Sequence, residues 1–370
     1  MSGARVAGRE LGREDLEAAV LGGLLLSSGG TGVASSARHR GLGEDALARG
    51  KVRLLPLEQF AADDALLVAT AVGAPGAAGA RTRPQDAIDA ALALQAACGR
   101  RLAGVMASHV PGMYTWTIAA GLGIPLADAA TNGRAHPTER MGGMGLAADP
   151  AATIWQAGHS AGGPGEPPLS VLVHGHPNRT SQVLRAAAVQ NGGLINAVRG
   201  PFDADFVRRR GAPGSISFAL GLGEAMRAAQ GPARVAAAAA FLGGEVLIEG
   251  EVAANAVAYA AGFEVGTLTV RAGTRRVTLG VYNEFMTAEE DGRRISSFPD
   301  FLGSLDPASG DPVSIMMLKP GTPVAIVAAA RARIPLGAGV FDASVYAEAE
   351  AAMGMELAKF ALSSHAAPEQ

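Results

Sequence analysis

From Arg13 to Ala129 the sequence swings repeatedly between helical and extended patterns, and this alternation constrains the fold more than any other feature of the chain. Acidic residues open REDLEAAVLGGLLL (Arg13 to Leu26), which continues as a mostly apolar helix and stops at Ser27-Ser28-Gly29-Gly30-Thr31-Gly32. Strand candidates follow at Lys51 to Leu55 and Ala65 to Val72, then a helix from Pro84 to Arg101 and a strand at Leu102 to Ala107. A helix at Tyr114 to Leu122 and a strand at Pro125 to Ala129 complete the series. Strands separated by helices predict a parallel sheet with crossover connections. In such sheets ligands collect beyond the carboxyl ends of the strands.

The glycine and proline cluster AGHSAGGPGEPP, Ala157 to Pro168, is the best candidate for a boundary. The chain has 370 residues, and domains of roughly 100–200 residues make two the default. The expectation is an α/β fold: an N-terminal parallel-sheet domain over residues 1–165, followed by a C-terminal α+β domain over 166–370. The second unit should hold a strand at Leu169 to Val173 and helices at Thr180 to Asn191 and Ile216 to Ala229, the last preceded by the turn Ala212-Pro213-Gly214. Beyond Gly244 the pattern changes. EVLIEGEV, GTLTVRAG, RRVTLGVYNEFMTA and PVAIVAA are short, β-rich and separated by glycine turns, which predicts a sandwich or barrel-like part.

Composition excludes several classes. Hydrophobic residues are 48% and charged residues 18%, too apolar for disorder. No run reaches the roughly 18 apolar residues a membrane span needs, and MSGARVAGRE at the N-terminus lacks the apolar core of a secretory signal, so a cytoplasmic location is expected. The net charge of −3 is not gathered into blocks, which argues against nucleic acid as a partner. Only three lysines are present, Lys51, Lys319 and Lys359, and none lies in a phosphate-binding Gly-Lys-Ser/Thr loop. The single cysteine, Cys98, sits in a helical pattern and reads as a buried thiol. The glycine cluster Gly29 to Gly32 follows a helix rather than a strand, so it is not a dinucleotide fingerprint; it reads as a tight turn whose amides at Gly30, Thr31 and Gly32 could face a ligand.

Polar side chains concentrate in DAATNGRAHPTE, Asp128 to Glu139, just after a predicted strand. Asn132-Gly133 marks a turn, and Pro137 fits the first turn of a helix starting near His136, which would place Glu139 at a favourable N-terminal position. Capping and turn geometry therefore compete with function for Asn132 and Glu139, while Arg134 has no such structural task. His109 follows the strand Leu102 to Ala107 and should share the same sheet edge. His174-Gly175-His176 could place two imidazoles on one side of a strand as metal ligands, although with no third ligand at recognisable spacing a turn before Pro177 is the simpler account. Asn283 and Glu284 end a strand without a visible local role, and Asp291-Gly292 reads as a hairpin turn.

At these residues the chain resembles the S-methyl thiohydantoin desulfurase family. The resemblance runs through DLEAAVLGG, LGIPLADAATNGRAHPTERM, GAPGSISFALGLGEAMRAA, GFEVGTLTV, VYNEFMTAEEDG, FPDFLGSLDPASGDP and LKPGTPVAIV, and the order of several unrelated segments makes it specific. It implies an N-terminal α/β domain, a C-terminal domain with the β-rich segments, and an activity that replaces the sulfur substituent at ring carbon C2 of a thiohydantoin by oxygen. Family-typical residues fall on Gly133, Arg134, Ala135, Pro137 and Glu139, and on Asn283 and Glu284. GGTGVASS, SHVPGMY and DAATNG depart from the family pattern in segments expected to line the pocket, which leaves room for a different substrate.

The C2 carbon of an S-methyl thiohydantoin is an isothiourea carbon, electrophilic once a ring nitrogen is protonated. A base for water and a donor to nitrogen then suffice. Glu139 or Asp128 is the expected base, His109 or His136 the donor, and Arg134 the partner of a substrate carboxylate. A divalent metal held by Asp128, His136 and Glu139 would be the alternative source of hydroxide. A non-catalytic subunit that binds hydantoin-like ligands is the rival class of function, and a racemase is disfavoured by the single cysteine and few lysines. A small heterocyclic substrate and a homo-oligomer are the expected partners.

Overall fold

The computed structural model describes residues 8–73, 81–260 and 263–363, so Met1 to Ala7 of the N-terminal stretch lie outside the described residues. In chain order the elements are β1 (Arg9–Leu11), α1 (Arg13–Leu26), α2 (Ser36–Arg49), β2 (Val52–Leu55), β3 (Ala65–Gly73), α3 (Pro84–Cys98), β4 (Leu102–Ala107), α4 (Tyr114–Leu122) and β5 (Leu126–Ala130). Then come β6 (Ile154–Ser160), β7 (Leu169–Gly175), α5 (Pro177–Gln190), β8 (Leu194–Asp203), α6 (Ala204–Arg210), β9 (Ala212–Pro213), α7 (Ser215–Arg227) and α8 (Pro232–Phe241). The last third holds β10 (Glu245–Asn255), β11 (Ala258–Ala260), β12 (Phe263–Ala272), β13 (Arg275–Tyr282), β14 (Glu284–Glu290), β15 (Arg293–Ser297), β16 (Phe301–Leu305), β17 (Pro323–Ala329), α9 (Ala347–Met353) and α10 (Ala358–Leu362).

The first sheet runs β1-β2-β5-β4-β3-β8-β6-β7, with β9 added to β5. Its centre, β2, β5, β4 and β3, is parallel, as the alternation predicts; β1, β8, β6 and β7 are antiparallel to their neighbours. The largely apolar β3 and the wholly buried β5 suit strands covered on both faces. The second sheet, β15-β14-β13-β12-β10-β17-β16, is antiparallel and curls into a half-barrel. Alternate residues Val277, Leu279 and Val281 of β13 point into its core beside Leu268, Val270 and Ile326.

The chain stays in the first sheet beyond residue 166, because β7 and β8 pair with β6 and β3; the change of sheet comes at Glu245. Ala157 to Ser160, within the glycine and proline cluster, are the end of strand β6 rather than a linker. The helix expected near His136 does not form, and 131–145 is a succession of turns. Its glycines, Gly142, Gly143 and Gly145, the last at φ 82°, disfavour a continuing helix.

Helix α1 joins the two units. Leu16, Val20 and Leu24 pack into the core of the first sheet, whereas Leu25 and Leu26 pack with Phe301, Leu305 and Val327 of the second. Helix α7 runs against it and divides in the same way, with Ile216 and Leu220 on one side and Leu222 and Met226 on the other. Glycine permits the crossing: a Cβ on Gly223 would lie 1.9 Å from the Ala18 carbonyl oxygen, and one on Gly22 2.0 Å from that of Ala219.

Candidate active site

The carboxyl ends of β3, β4 and β5 and the turn after α1 face β12 and the β13–β14 junction across a cavity of about 250 Å³. Thr70 and Ala71 come from β3, Ser108 and His109 follow β4, and Ala135 to Glu139 follow β5. Arg185 on α5 and Arg199 on β8 close one side; Phe263, Glu264, Asn283 and Glu284 close the other. This is the strand-end position at which parallel sheets bind ligands.

Backbone ties hold the walls together. The Leu26 carbonyl accepts from Ala135 N at 3.0 Å, the Ser28 carbonyl from Phe285 N at 2.9 Å, and the Gly29 carbonyl from Ile315 N at 2.9 Å. Asn283 adopts φ 59°, a left-handed conformation that asparagine tolerates. Its N–H donates to the Glu264 carbonyl at 2.8 Å, and its Oδ1 accepts from Glu264 N at 2.9 Å. The amide thus has a structural task, bracketing β12 at the point where Glu284 enters the cavity wall.

Glu284 is buried and its Oε2 has no partner among the described residues. Burial pushes its pKa up to about 8, against the pull of Arg134 and with the help of Glu264, so the carboxyl is mostly protonated at neutral pH. His136 is pushed the other way, down to about 3, by burial first and by His109 and Arg199 next; its Nδ1 also lacks a partner among the described residues. Burial lowers His109 as well, and its Nδ1 lies 3.1 Å from the Val110 carbonyl. The cavity therefore pairs neutral imidazoles with a protonated carboxyl. Glu139 lines it too, in an ion pair with Arg185 at 3.2 Å.

Of the residues expected from sequence, Gly30, Thr31, His109, His136, Glu139, Asn283 and Glu284 are brought to this cavity. Gly32, Asp128, Asn132 and Arg134 are not. Gly32 packs on the backbone of Pro312 to Ser314. Asp128 caps α7: Oδ1 accepts from Ile216 N and Ser217 N, each at 3.0 Å, and Oδ2 from the Ser217 hydroxyl at 2.5 Å. Asn132 donates to the Arg134 carbonyl at 2.9 Å and accepts from Gly337 N at 3.3 Å. Arg134 is fully buried, donating to the carbonyls of Ala135, Asp300 and Phe285 with its guanidinium 4.7 Å from the Phe298 ring centroid. Its donors bind backbone, so it is not placed to meet a substrate carboxylate. Arg185, Arg199 and Glu264 were missed; each lies in an ordinary-looking helix or strand, and only tertiary structure brings them to the site.

The expected metal set does not converge, because Asp128 and Glu139 are engaged separately. Among the described residues only Asp86, Asp89 and His159 come close enough to share an ion, and they lie outside the cavity. Asp86 is already used: its carboxylate accepts from Arg83 N at 2.7 Å and Ala161 N at 3.1 Å. His174 stacks on Trp155 with ring centroids 4.5 Å apart, and His176 Nδ1 accepts from Asn178 N at the start of α5.

The fold and site define a mixed α/β protein with a half-barrel and one strand-end cavity rich in acid–base groups. The family models "S-Me-THD-like, N-terminal domain" and "S-Me-THD-like, C-terminal domain" match residues 14–160 and 176–334. The chain belongs to the S-methyl thiohydantoin desulfurase family, whose name points to an enzyme of thiohydantoin processing. A crystal structure of a protein from Chromobacterium violaceum shares the fold, with a TM-score of 0.68 and 21% identity over 98% of this chain and 100% of that one. No curated protein matches. No helix among the described residues is long and apolar enough to cross a membrane.

Proposed function

We propose that the protein hydrolyses the bond between sulfur and ring carbon C2 of a thiohydantoin or S-methyl thiohydantoin, releasing a hydantoin and a thiol or sulfide. The observation that carries this reading is the presence, in one cavity, of a buried Glu284 carboxyl and a half-buried His136 imidazole, each with a polar atom sealed from solvent and without a partner among the described residues. Reactions at an isothiourea carbon need a proton donor for the ring nitrogen and an acceptor for the proton of water. Glu284 is suited to the first task by its raised pKa and His136 to the second by its neutrality.

In this mechanism, written for the S-methyl substrate or the imidothiol tautomer of the thiohydantoin, His136 takes a proton from water as its oxygen bonds to C2, while Glu284 protonates the ring nitrogen of the C2=N bond. The resulting tetrahedral carbon carries hydroxyl, sulfur and two nitrogens. The hydroxyl proton passes to the Glu284 carboxylate as C2=O forms. The C2–S bond breaks with its electron pair on sulfur, and the imidazolium of His136 protonates the departing thiolate. Both groups return to their starting states, and one water is consumed per thiol released. His109 borders His136 and disfavours a resting positive charge on it.

The test is incubation of pure protein, with and without chelator, with thiohydantoins and S-methyl thiohydantoins while free thiol and sulfide are measured. Release that survives chelation and is lost in Glu284→Gln and His136→Gln supports the reading. Absence of release from folded protein with every substrate would favour a ligand-binding subunit instead.

A further inference from the structure

The first sheet ends on one side in β7, which pairs only with β6 among the described residues. Leu169 to Gly175 run in unbroken register with β6 and include no lysine, arginine, acid or proline. On the outer side of such a strand, alternate N–H and C=O groups have no strand to bond. The other edges are guarded. Strand β1 has three residues, two of them charged; β15 carries Arg293, Arg294 and a register shift; β16 is buried along its whole length. Among the described edges only β7 is long, regular and uncharged.

Apolar side chains flank this edge on both faces. Leu169, Val171 and Val173 pack toward α5, so Leu172 projects from the opposite face, that of α3, and is 47% exposed. Ala93 and Ala97 of α3 continue there the stripe of the buried Ala90. On α5, Arg185 looks into the cavity, and Val183, about 200° around the helix from it, looks toward β7 and is 45% exposed. From Gly175 back to Leu172 the strand climbs about 10 Å, and from Pro177 to Val183 the helix climbs about 9 Å in the same direction. Leu172 and Val183 therefore stand at one level, midway along the edge.

A partner for this edge has to supply a strand of its own, and an apolar level at the middle suits a two-fold axis, where a residue meets itself. We propose that two copies of the chain join antiparallel through β7, with Leu172 on the axis, Ser170 facing the partner subunit's His174, and Val183 meeting its own copy beside the sheet. No like charges are brought together, because Arg179 at the start of α5 falls level with the uncharged end of the partner helix at Gln190. A face about 24 Å long and roughly 30 Å thick through α3, the sheet and α5 offers on the order of 700 Å² per copy, close to the roughly 800 Å² per partner of a stable interface. The pairing also clamps α5, and with it the cavity wall at Arg185. It does not depend on the reaction proposed above.

The test is sedimentation velocity of the full chain across micromolar concentrations, where the wild type should be a dimer. Leu172→Arg sets two guanidinium groups face to face on the axis and should weaken association by roughly tenfold or more, with the far-UV circular dichroism unchanged. Leu172→Cys should cross-link to itself under mild oxidation, since facing Cα atoms of an antiparallel pair lie about 4.5–5.5 Å apart, within disulfide reach. The wild type, whose one cysteine is Cys98, should not. A wild-type monomer at every concentration would overturn the proposal and leave the edge to a strand of another protein. A dimer undiminished in Leu172→Arg, or one whose Leu172→Cys form stays without a cross-link, would overturn β7 as the contact. The wild-type and Leu172→Cys measurements decide the matter even if the arginine variant fails to fold.

Discussion

The imidazoles of His109 and His136 meet edge to face, their ring centroids 5.7 Å apart, beyond the ends of two neighbouring parallel strands. Protonating one raises the cost of protonating the other, which helps hold His136 as a base. His136→Gln should lower kcat for thiol release by about 10²–10⁴, with a much smaller change in KM. A kcat near the wild-type value would remove His136 from the mechanism.

The two displaced titrations act on stability in opposite pH windows. Glu284 has a folded pKa of about 8 against an ordinary 4.5, so folding takes up a proton between those values and stability falls as pH rises through them. His136 has a folded pKa of about 3 against 6.5, so stability falls as pH drops through that range. Melting temperatures at about pH 5.5 and about pH 8.5 should show a smaller loss on the alkaline side for Glu284→Gln than for the wild type. Activity should fall as pH rises through about 8, since the proton donor is then ionised. An unchanged alkaline limb in Glu284→Gln with full activity would contradict both expectations.

Arg134 holds three carbonyls from separate parts of the chain, so its removal is predicted to damage the fold before it damages binding. Arg134→Met should cost at least about 3 kcal/mol in urea unfolding.

Asp128→Ala removes an acceptor for two helix N–H groups and should cost about 1–2 kcal/mol. Because this carboxylate is outside the cavity wall, kcat of the variant is expected to stay near the wild-type value; a collapse of kcat with stability preserved would return Asp128 to the chemistry.

Much of the fold was legible from local pattern. Arg13 to Leu26, Leu102 to Ala107 and Tyr114 to Leu122 form the elements their apolar spacing predicts, with the same limits. In the antiparallel half of the first sheet β7 was legible as the strand Leu169 to Val173, whereas β6 and β8 were not, because β6 carries Gly158-His159 and β8 carries Gly200-Pro201, signals that locally read as loop. The site was legible where chemistry follows a strand end, as at His109 and His136. It was misleading where a polar residue serves the backbone: Asp128, Asn132 and Arg134 all bind main-chain groups that no sequence spacing reveals. Arg199 escaped for the opposite reason, since its place in the cavity depends on a strand that pairs across the expected boundary.

The glycine-lined crossing of α1 and α7 has a consequence for how the molecule comes apart. Each helix contributes one flank to each core, so cutting the chain near residue 160 would strip α7 from α1 and leave Leu25 and Leu26 facing water. The halves recognised by the two family models are thus interlocked rather than modular. A single methyl group at Gly223 would act on both at once, as a wedge between them that lowers the melting point of the whole chain in one cooperative step.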